Sequence, residues 1–355
     1  MKRRTFLGGL VATPMMIGPA GAASATFAED HPLQASWRAW KRVCLSPEGR
    51  VIDGFQGGAS HSEGQGYGLT LAAHFGDIQA ANSIIAWTEA NLAVRGDSLL
   101  AWLWRPDSQP RVVDRNNASD GDLFYAWGLV MLARGRNRPE LLERARQIAA
   151  DLLRHCRVRN PSGQGWLLLP GASGFLREGG GVVINPSYIM PRAIEEVAAA
   201  TRLPDLAEMA EDGRRLWADL AARGPVPDWV LATASGYGPP PQGFSPRFGY
   251  EAIRVPLFAV WSGEATSPAL RSYVAAIASA GGDAVTVYDP VTKTVVERSA
   301  HAGYAAVAAL AGCVALGGAG SQMPVFADTQ PYYPATLHLM ALVAQAQVFP
   351  RCVPI

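Results

Sequence analysis

The chain has 355 residues, 49% of them hydrophobic, and a formal net charge of +1. That length allows one large domain or two average ones, with ample material for a core. Near-balanced charge, with no long run of one sign, gives no sign of the basic face that nucleic-acid binding usually needs.

In chain order, the first segment reads as a targeting signal. Met1-Lys2-Arg3-Arg4 is basic, Phe6 to Ile17 is mildly apolar, and Ala20-Gly21-Ala22 has the small-x-small form of a cleavage site. Arg3-Arg4-Thr5-Phe6-Leu7 fits the twin-arginine pattern, and an ordinary secretory signal with two arginines is the other reading. Either assigns residues 1–22 to export and the remainder, 23–355, to the periplasm or the exterior of a bacterium. The only later apolar run near the roughly 18 residues of a membrane span is 302–320. Its glycines and small side chains suit a tightly packed interior helix, so no stable membrane insertion is expected once the signal is removed.

Helical periodicity then recurs along the chain. It predicts helices over 65–75, after a glycine-rich entry, and over 78–92, 120–134, 141–156, 187–200 and 206–222. Further helices are predicted over 251–262, 268–280, 302–314 and 335–348. Pro, Gly and Asn cluster between them, at 158–164, 170–181 and 237–249. The loops 158–184 and 223–249 are long, as function-bearing loops often are. Strand-like alternation is confined to short pieces. Val285-Thr286-Val287-Tyr288 and Thr294-Val295-Val296 flank Asp289-Pro290 and predict a surface hairpin. About ten to twelve helices without a linker give a single all-α domain. Helices recur in pairs, which can be arranged around a ring, although no strict repeat is present.

Four cysteines, Cys44, Cys156, Cys313 and Cys352, include no Cys-x-x-Cys, which argues against zinc. Export permits disulfides, but the spacing assigns no pairing. Ten Trp and ten Tyr can fill a core or stack on sugar rings.

Three acidic segments could carry chemistry. His61-Ser62-Glu63-Gly64-Gln65-Gly66-Tyr67-Gly68 puts one carboxylate where a glycine-rich stretch meets a helix. The carboxylate either caps the helix or faces a ligand, since glycines let backbone pass close to one. Asn116-Asn117-Ala118-Ser119-Asp120-Gly121-Asp122 puts two carboxylates at a helix start, where both can cap or one can face a site. Its spacing lacks the EF-hand loop and distal Glu, so no metal is assigned. In Phe248-Gly249-Tyr250-Glu251-Ala252-Ile253-Arg254, Glu251 and Arg254 share a helical face, as a surface ion pair or as part of a site. Paired carboxylates are what glycoside hydrolysis needs. The chain has no Gly-x-Ser-x-Gly elbow and no Walker loop, and no Gly-x-Gly-x-x-Gly at a strand-to-helix turn, so no nucleotide cofactor is indicated.

These segments resemble glycoside hydrolase family 8, within it the periplasmic endoglucanases encoded with bacterial cellulose synthase. The match runs through Ser62-Glu63-Gly64-Gln65-Gly66-Tyr67-Gly68, Ala101-Trp102-Leu103-Trp104 and Ala118-Ser119-Asp120-Gly121-Asp122. Asn185-Pro186-Ser187-Tyr188, Pro227-Asp228-Trp229-Val230 and Tyr250-Glu251-Ala252-Ile253-Arg254 continue it. The resemblance implies an (α/α)6 toroid and an inverting endo-β-1,4-glucanase that needs no cofactor or metal. It implies a β-glucan substrate and, as a partner, the cellulose synthase complex. The family's general acid falls on Glu63, and its sugar-binding, water-positioning carboxylate on Asp120, with Tyr188 nearby. Trp102 or Trp104 matches a stacking tryptophan. Tyr250 and Arg254 match residues beside the base, and Tyr332 and Tyr333 match cleft-lining aromatics.

One position departs from the pattern. The best-known branch carries its base as Asp in Tyr-Asp-Ala-x-x-Arg, where this chain has Glu251. An inverting pair stands roughly 6.5–9.5 Å apart to admit water. An added methylene moves the carboxylate by up to about 1.5 Å, and a misplacement of about 1 Å can cost a hundredfold in rate. Glu251 serves if its backbone sits back or its side chain folds; otherwise Asp120 holds the water, or activity is low. Two other readings follow: a glucan-binding accessory protein with weak or no catalysis, and a chitosanase or mixed-linkage glucanase of the same family.

Overall fold

The computed structural model describes residues 26–134, 137–282 and 285–355. The export segment 1–22 lies outside the described residues.

The described residues form eleven α-helices: α1 (Leu33–Cys44), α2 (Ser62–His74), α3 (Ile78–Asn91), α4 (Ser119–Arg134), α5 (Pro139–His155), α6 (Pro191–Thr201), α7 (Pro204–Ala221), α8 (Arg254–Trp261), α9 (Pro268–Ser279), α10 (Ala302–Ala315) and α11 (Tyr332–Val348). Helices α5, α6, α7 and α9 open on Pro, whose fixed φ and missing N–H suit a first turn. Helices α1, α5 and α7 bury one stripe. Helices α2, α4, α8 and α11 are buried nearly all round, as only a helix enclosed by others can be. Contacts run from α2 to α4, α6, α8 and α11 and back to α2, closing a ring. Helices α1, α3, α5, α7, α9 and α10 pack outside it. This is the (α/α)6 toroid. Trp37, Trp40, Trp127, Trp217 and Trp261 are fully buried, so half of the tryptophans serve the core.

Helix α2 begins at Ser62, so the expected glycine-rich entry is itself helical. Its glycines face another helix. A Cβ on Gly66 would lie 2.8 Å from the Gly121 carbonyl oxygen, and one on Gly121 would lie 2.3 Å from Ser62 Oγ. Missing side chains let α2 and α4 approach backbone to backbone, which sets Glu63 beside Asp120.

Other boundaries shift for local reasons. Helix α1 was not expected, although Trp37, Trp40 and Cys44 give it a buried face. Helix α6 starts at Pro191, and residues 186–188 form a separate 3-10 turn. Helix α8 starts at Arg254 rather than 251. The Arg254 amide donates to the Glu251 carbonyl and the Val255 amide to that of Ala252, so a tighter turn precedes the helix.

Strands are short. Val285–Asp289 pairs with Thr294–Arg298 in the expected hairpin. Val182–Ile184, Val230–Thr233 and Gly236–Gly238 form a three-stranded antiparallel sheet from the two long loops. Arg157–Arg159 pairs with Trp166–Leu168, and Ser60–His61 with Leu103–Trp104. A disulfide joins Cys313 of α10 to Cys352 near the end of the chain, while Cys44 and Cys156 are buried thiols. No helix of the described residues is long and apolar enough to cross a membrane.

Candidate active site

Arg254, the first residue of α8, is 1% exposed and sits at the centre of a carboxylate cluster. Its Nη1 donates to Glu63 Oε2 at 2.5 Å, Asp120 Oδ2 at 3.0 Å and Tyr67 Oη at 3.1 Å. Its Nη2 donates to Ser187 Oγ at 2.8 Å and to Glu251 Oε2. One guanidinium thus gathers Glu63 from α2, Asp120 from α4 and Glu251 from the turn before α8. The five-donor fork of arginine can do this, whereas lysine is a single point of charge. Bridged by that fork, the Glu63 and Glu251 oxygens stand no more than about 7 Å apart, from hydrogen-bond lengths and the fork's width.

Local structure explains why each acid is available. His61 caps α2, with Nδ1 accepting from the Gly64 amide at 3.0 Å. Glu63 is therefore released from capping, and its Oε1 accepts from Tyr332 Oη at 3.1 Å. At the start of α4 the two carboxylates diverge. Asp120 turns to Arg254, while Asp122 accepts from the Leu100 amide and from Asn117 Nδ2, both at 2.8 Å.

Burial dominates the electrostatics. It raises Asp120 to about 7; Arg254 opposes the shift, and Glu63 and Glu251 add to it. Burial likewise raises Asp122 to about 7. Burial alone would lower His61, but its hydrogen bond to Asp53 and the charges of Glu63, Asp53 and Asp120 leave it raised.

Glu63 and Glu251 open on a cleft of about 480 Å³ that Tyr250, Tyr332, Tyr333 and His301 also line. Tyr250 Oη donates to Glu297 on the hairpin, and Tyr333 Oη donates to the Tyr250 carbonyl at 2.5 Å. Tyr188 lies under the guanidinium, 5.3 Å from Arg254 Cζ to the ring centroid. Trp102 stays half-buried, with Nε1 donating to Asp114 Oδ2 at 2.8 Å and its carbonyl accepting from the Ser62 amide. Trp104 packs edge-on against Trp87, with Arg50 and Arg111 over its ring, away from the cleft lining.

Sequence reasoning gave no role to several residues now at the site. Asn185 Nδ2 donates to Glu251 Oε2 at 3.1 Å, and Asn185 Oδ1 accepts from Ser187 Oγ at 2.6 Å. Tyr67, His61 and Asp228 also belong to the cluster or its support. All but His61 lie inside the segments that carried the family resemblance, so position in those segments was the available signal. Trp229 stacks parallel to Phe175, with ring centroids 6.1 Å apart, and packs on Phe244 at 4.7 Å. These aromatics come from the two long loops, and nothing in their spacing announces the contact.

The sequence matches the family model for glycosyl hydrolases family 8 over residues 10–347. A probable endoglucanase of Novacetimonas hansenii is 33% identical over 338 residues, 92% of this chain and 95% of the relative. An endoglucanase of Cellulomonas uda is 30% identical over 263 residues, 74% and 70% of the two chains. Among solved structures, the endo-β-1,4-glucanase CMCax from Acetobacter xylinum superposes with a TM-score of 0.76 at 31% identity, covering 89% of this chain and 98% of that one. A reducing-end-xylose releasing exo-oligoxylanase is similar in fold, with a TM-score of 0.70 at 18% identity over 92% of this chain and 96% of that one. With the family model spanning nearly all of the chain and the paired carboxylates gathered at one cleft, this protein belongs to the glycosyl hydrolases of family 8.

Proposed function

We propose that the protein is an inverting endo-β-1,4-glucanase acting on cellulose or a related β-glucan. The observation that carries this reading is that Glu63 and Glu251 open on one cleft while a single buried guanidinium holds them apart. Glu63 donates its proton to the glycosidic oxygen as the bond to the anomeric carbon breaks. Water attacks that carbon from the opposite face and gives its proton to Glu251. Asp120, 1% exposed and outside the cleft lining, takes from the resemblance the role of holding sugar and water beside Arg254. The half-buried rings of Tyr250 and Tyr333 on the cleft wall support the glucan, while buried Tyr332 holds Glu63 through its hydroxyl; Trp102 and Tyr188 are assigned to substrate by the resemblance and lie outside the cleft lining. The chemistry draws on these carboxylates and needs no cofactor.

The chain is read as an export signal over 1–22 followed by one catalytic domain over 23–355. The export signal supports a periplasmic or secreted location, and the resemblance to the synthase-linked branch supports the cellulose synthase complex as a partner. Neither accessory binding nor chitosan or mixed-linkage specificity has a contact favouring it.

The test is hydrolysis of carboxymethyl cellulose, followed by viscosity and reducing ends, with chitosan and mixed-linkage glucan alongside. Proton NMR of fresh product should show the α-anomer first. Glu63→Gln should lower turnover about a thousandfold, within the range of general acid catalysis. Equal activity in Glu63→Gln would overturn the assignment.

A further inference from the structure

We propose that Asp228 is the positioning residue for the base: it grips the backbone of Glu251 so that the longer side chain meets the water slot. This rests on reading Glu251 as the base. Asp228 is buried behind the turn and is not among the residues lining the cleft. Its Oδ1 accepts from the Glu251 amide at 3.1 Å and the Ala252 amide at 2.8 Å. Its own amide donates to the Arg247 carbonyl at 2.7 Å, which ties it to the strand-like stretch entering the turn. Its Oδ2 fills the space beside Gly249, where an added Cβ would lie 2.4 Å away.

Glu251 is therefore held at both ends. Asp228 fixes its main chain, and Arg254 and Asn185 fix its carboxylate. A glutamate has one more rotatable bond than an aspartate, so it needs this second point of attachment to hold one geometry. The same grip fixes the turn that leads into Arg254, so the hub and the base share one anchor. Burial raises Asp228 to about 7, with the Ala252 amide opposing the shift and Glu251 adding to it. It can grip the amides in either protonation state, because a neutral carboxyl oxygen still accepts.

The experiment measures kcat and KM on a soluble cello-oligosaccharide for the full chain and its variants. Asp228→Ala leaves two buried amides without an acceptor. It should lower kcat ten- to hundredfold, the scale of an ångström-level misplacement, with KM within about threefold. Asp228→Asn keeps an acceptor oxygen and should stay within about fivefold of the parent. In a Glu251→Gln background, Asp228→Ala should add less than about twofold, because it acts through Glu251.

Gly249→Ala tests the same contact with Asp228 retained. Its Cβ displaces Oδ2, and it should reproduce the loss of kcat even if Asp228→Ala fails to fold. Parental kcat in Asp228→Ala or in Gly249→Ala overturns the proposal. So does a loss in Asp228→Asn as deep as in Asp228→Ala, which would make the carboxylate itself the base. Fully multiplicative effects in the double variant overturn it too. Parental kcat in Glu251→Gln alone would instead sink the reading of Glu251 as base.

Discussion

Glu63 and Arg254 lie 191 residues apart in the chain and 2.5 Å apart in space. The contact spans the ring from α2 to α8, and the same guanidinium reaches Asp120 and Glu251. Arg254→Lys keeps the charge but can satisfy only part of this set. Turnover should fall about a hundredfold or more, with the helical circular dichroism unchanged. Steady-state rates on carboxymethyl cellulose check this, and a loss below about fivefold would deny Arg254 its organising role.

Glu251→Asp tests the added methylene directly. The shorter chain cannot keep both Arg254 Nη2 and Asn185 Nδ2 with its backbone fixed by Asp228. The rate should fall about tenfold to a hundredfold, while the first product anomer stays α. Rate and NMR together decide the matter: a change of anomer would mean that a different group activates the water.

Asp120→Asn should make stability depend differently on pH. Asp120 is raised in the folded protein from an unfolded value near 3.8 to about 7. A raised carboxyl contributes its stability below the unfolded value and loses it as pH rises through the folded one. The melting temperature of Asp120→Asn minus that of the parent should therefore be near zero at pH 4. It should grow through pH 7 and level off above, while activity is lost at every pH. A difference that is flat across pH 4–8 would contradict the buried, proton-retaining position.

Gly121→Ala addresses the packing beneath the acids. The new Cβ would meet Ser62 Oγ at 2.3 Å and the Glu63 amide nitrogen at 2.6 Å, so α2 and α4 must separate. The cost should be about 1–3 kcal/mol of stability, together with more than tenfold in rate because Glu63 moves. Gly312→Ala in α10 is the control, since nothing lies within 4 Å of its added Cβ. It should be neutral or stabilising by up to about 1 kcal/mol. Urea denaturation of both variants separates local crowding from general sensitivity.

The sequence by itself determined the helical class, the hairpin of 285–288 with 294–296 and the set of acids. Periodicity, turn residues and carboxylates beside helix starts are local properties, written in neighbouring residues. It also carried Asp228, Tyr67 and Asn185, but without roles, because a role is a contact. Tertiary structure decided that His61 rather than Glu63 caps α2, which leaves the acid free. It decided that the glycines of α2 and α4 serve a helix contact, and that Asp122 turns away from the site while Asp120 turns into it. It also placed Glu251 ahead of α8, held by Asp228 from the far side of the loop that leads into it. The caps are short-range contacts that the sequence leaves open among several side chains, whereas Asp120 and Glu63 meet Arg254 only because the ring closes, joining segments that no local pattern connects. The ring brings Arg254 within 2.5 Å of Glu63, and one buried guanidinium then sets the spacing of the two carboxylates on which the proposed chemistry depends.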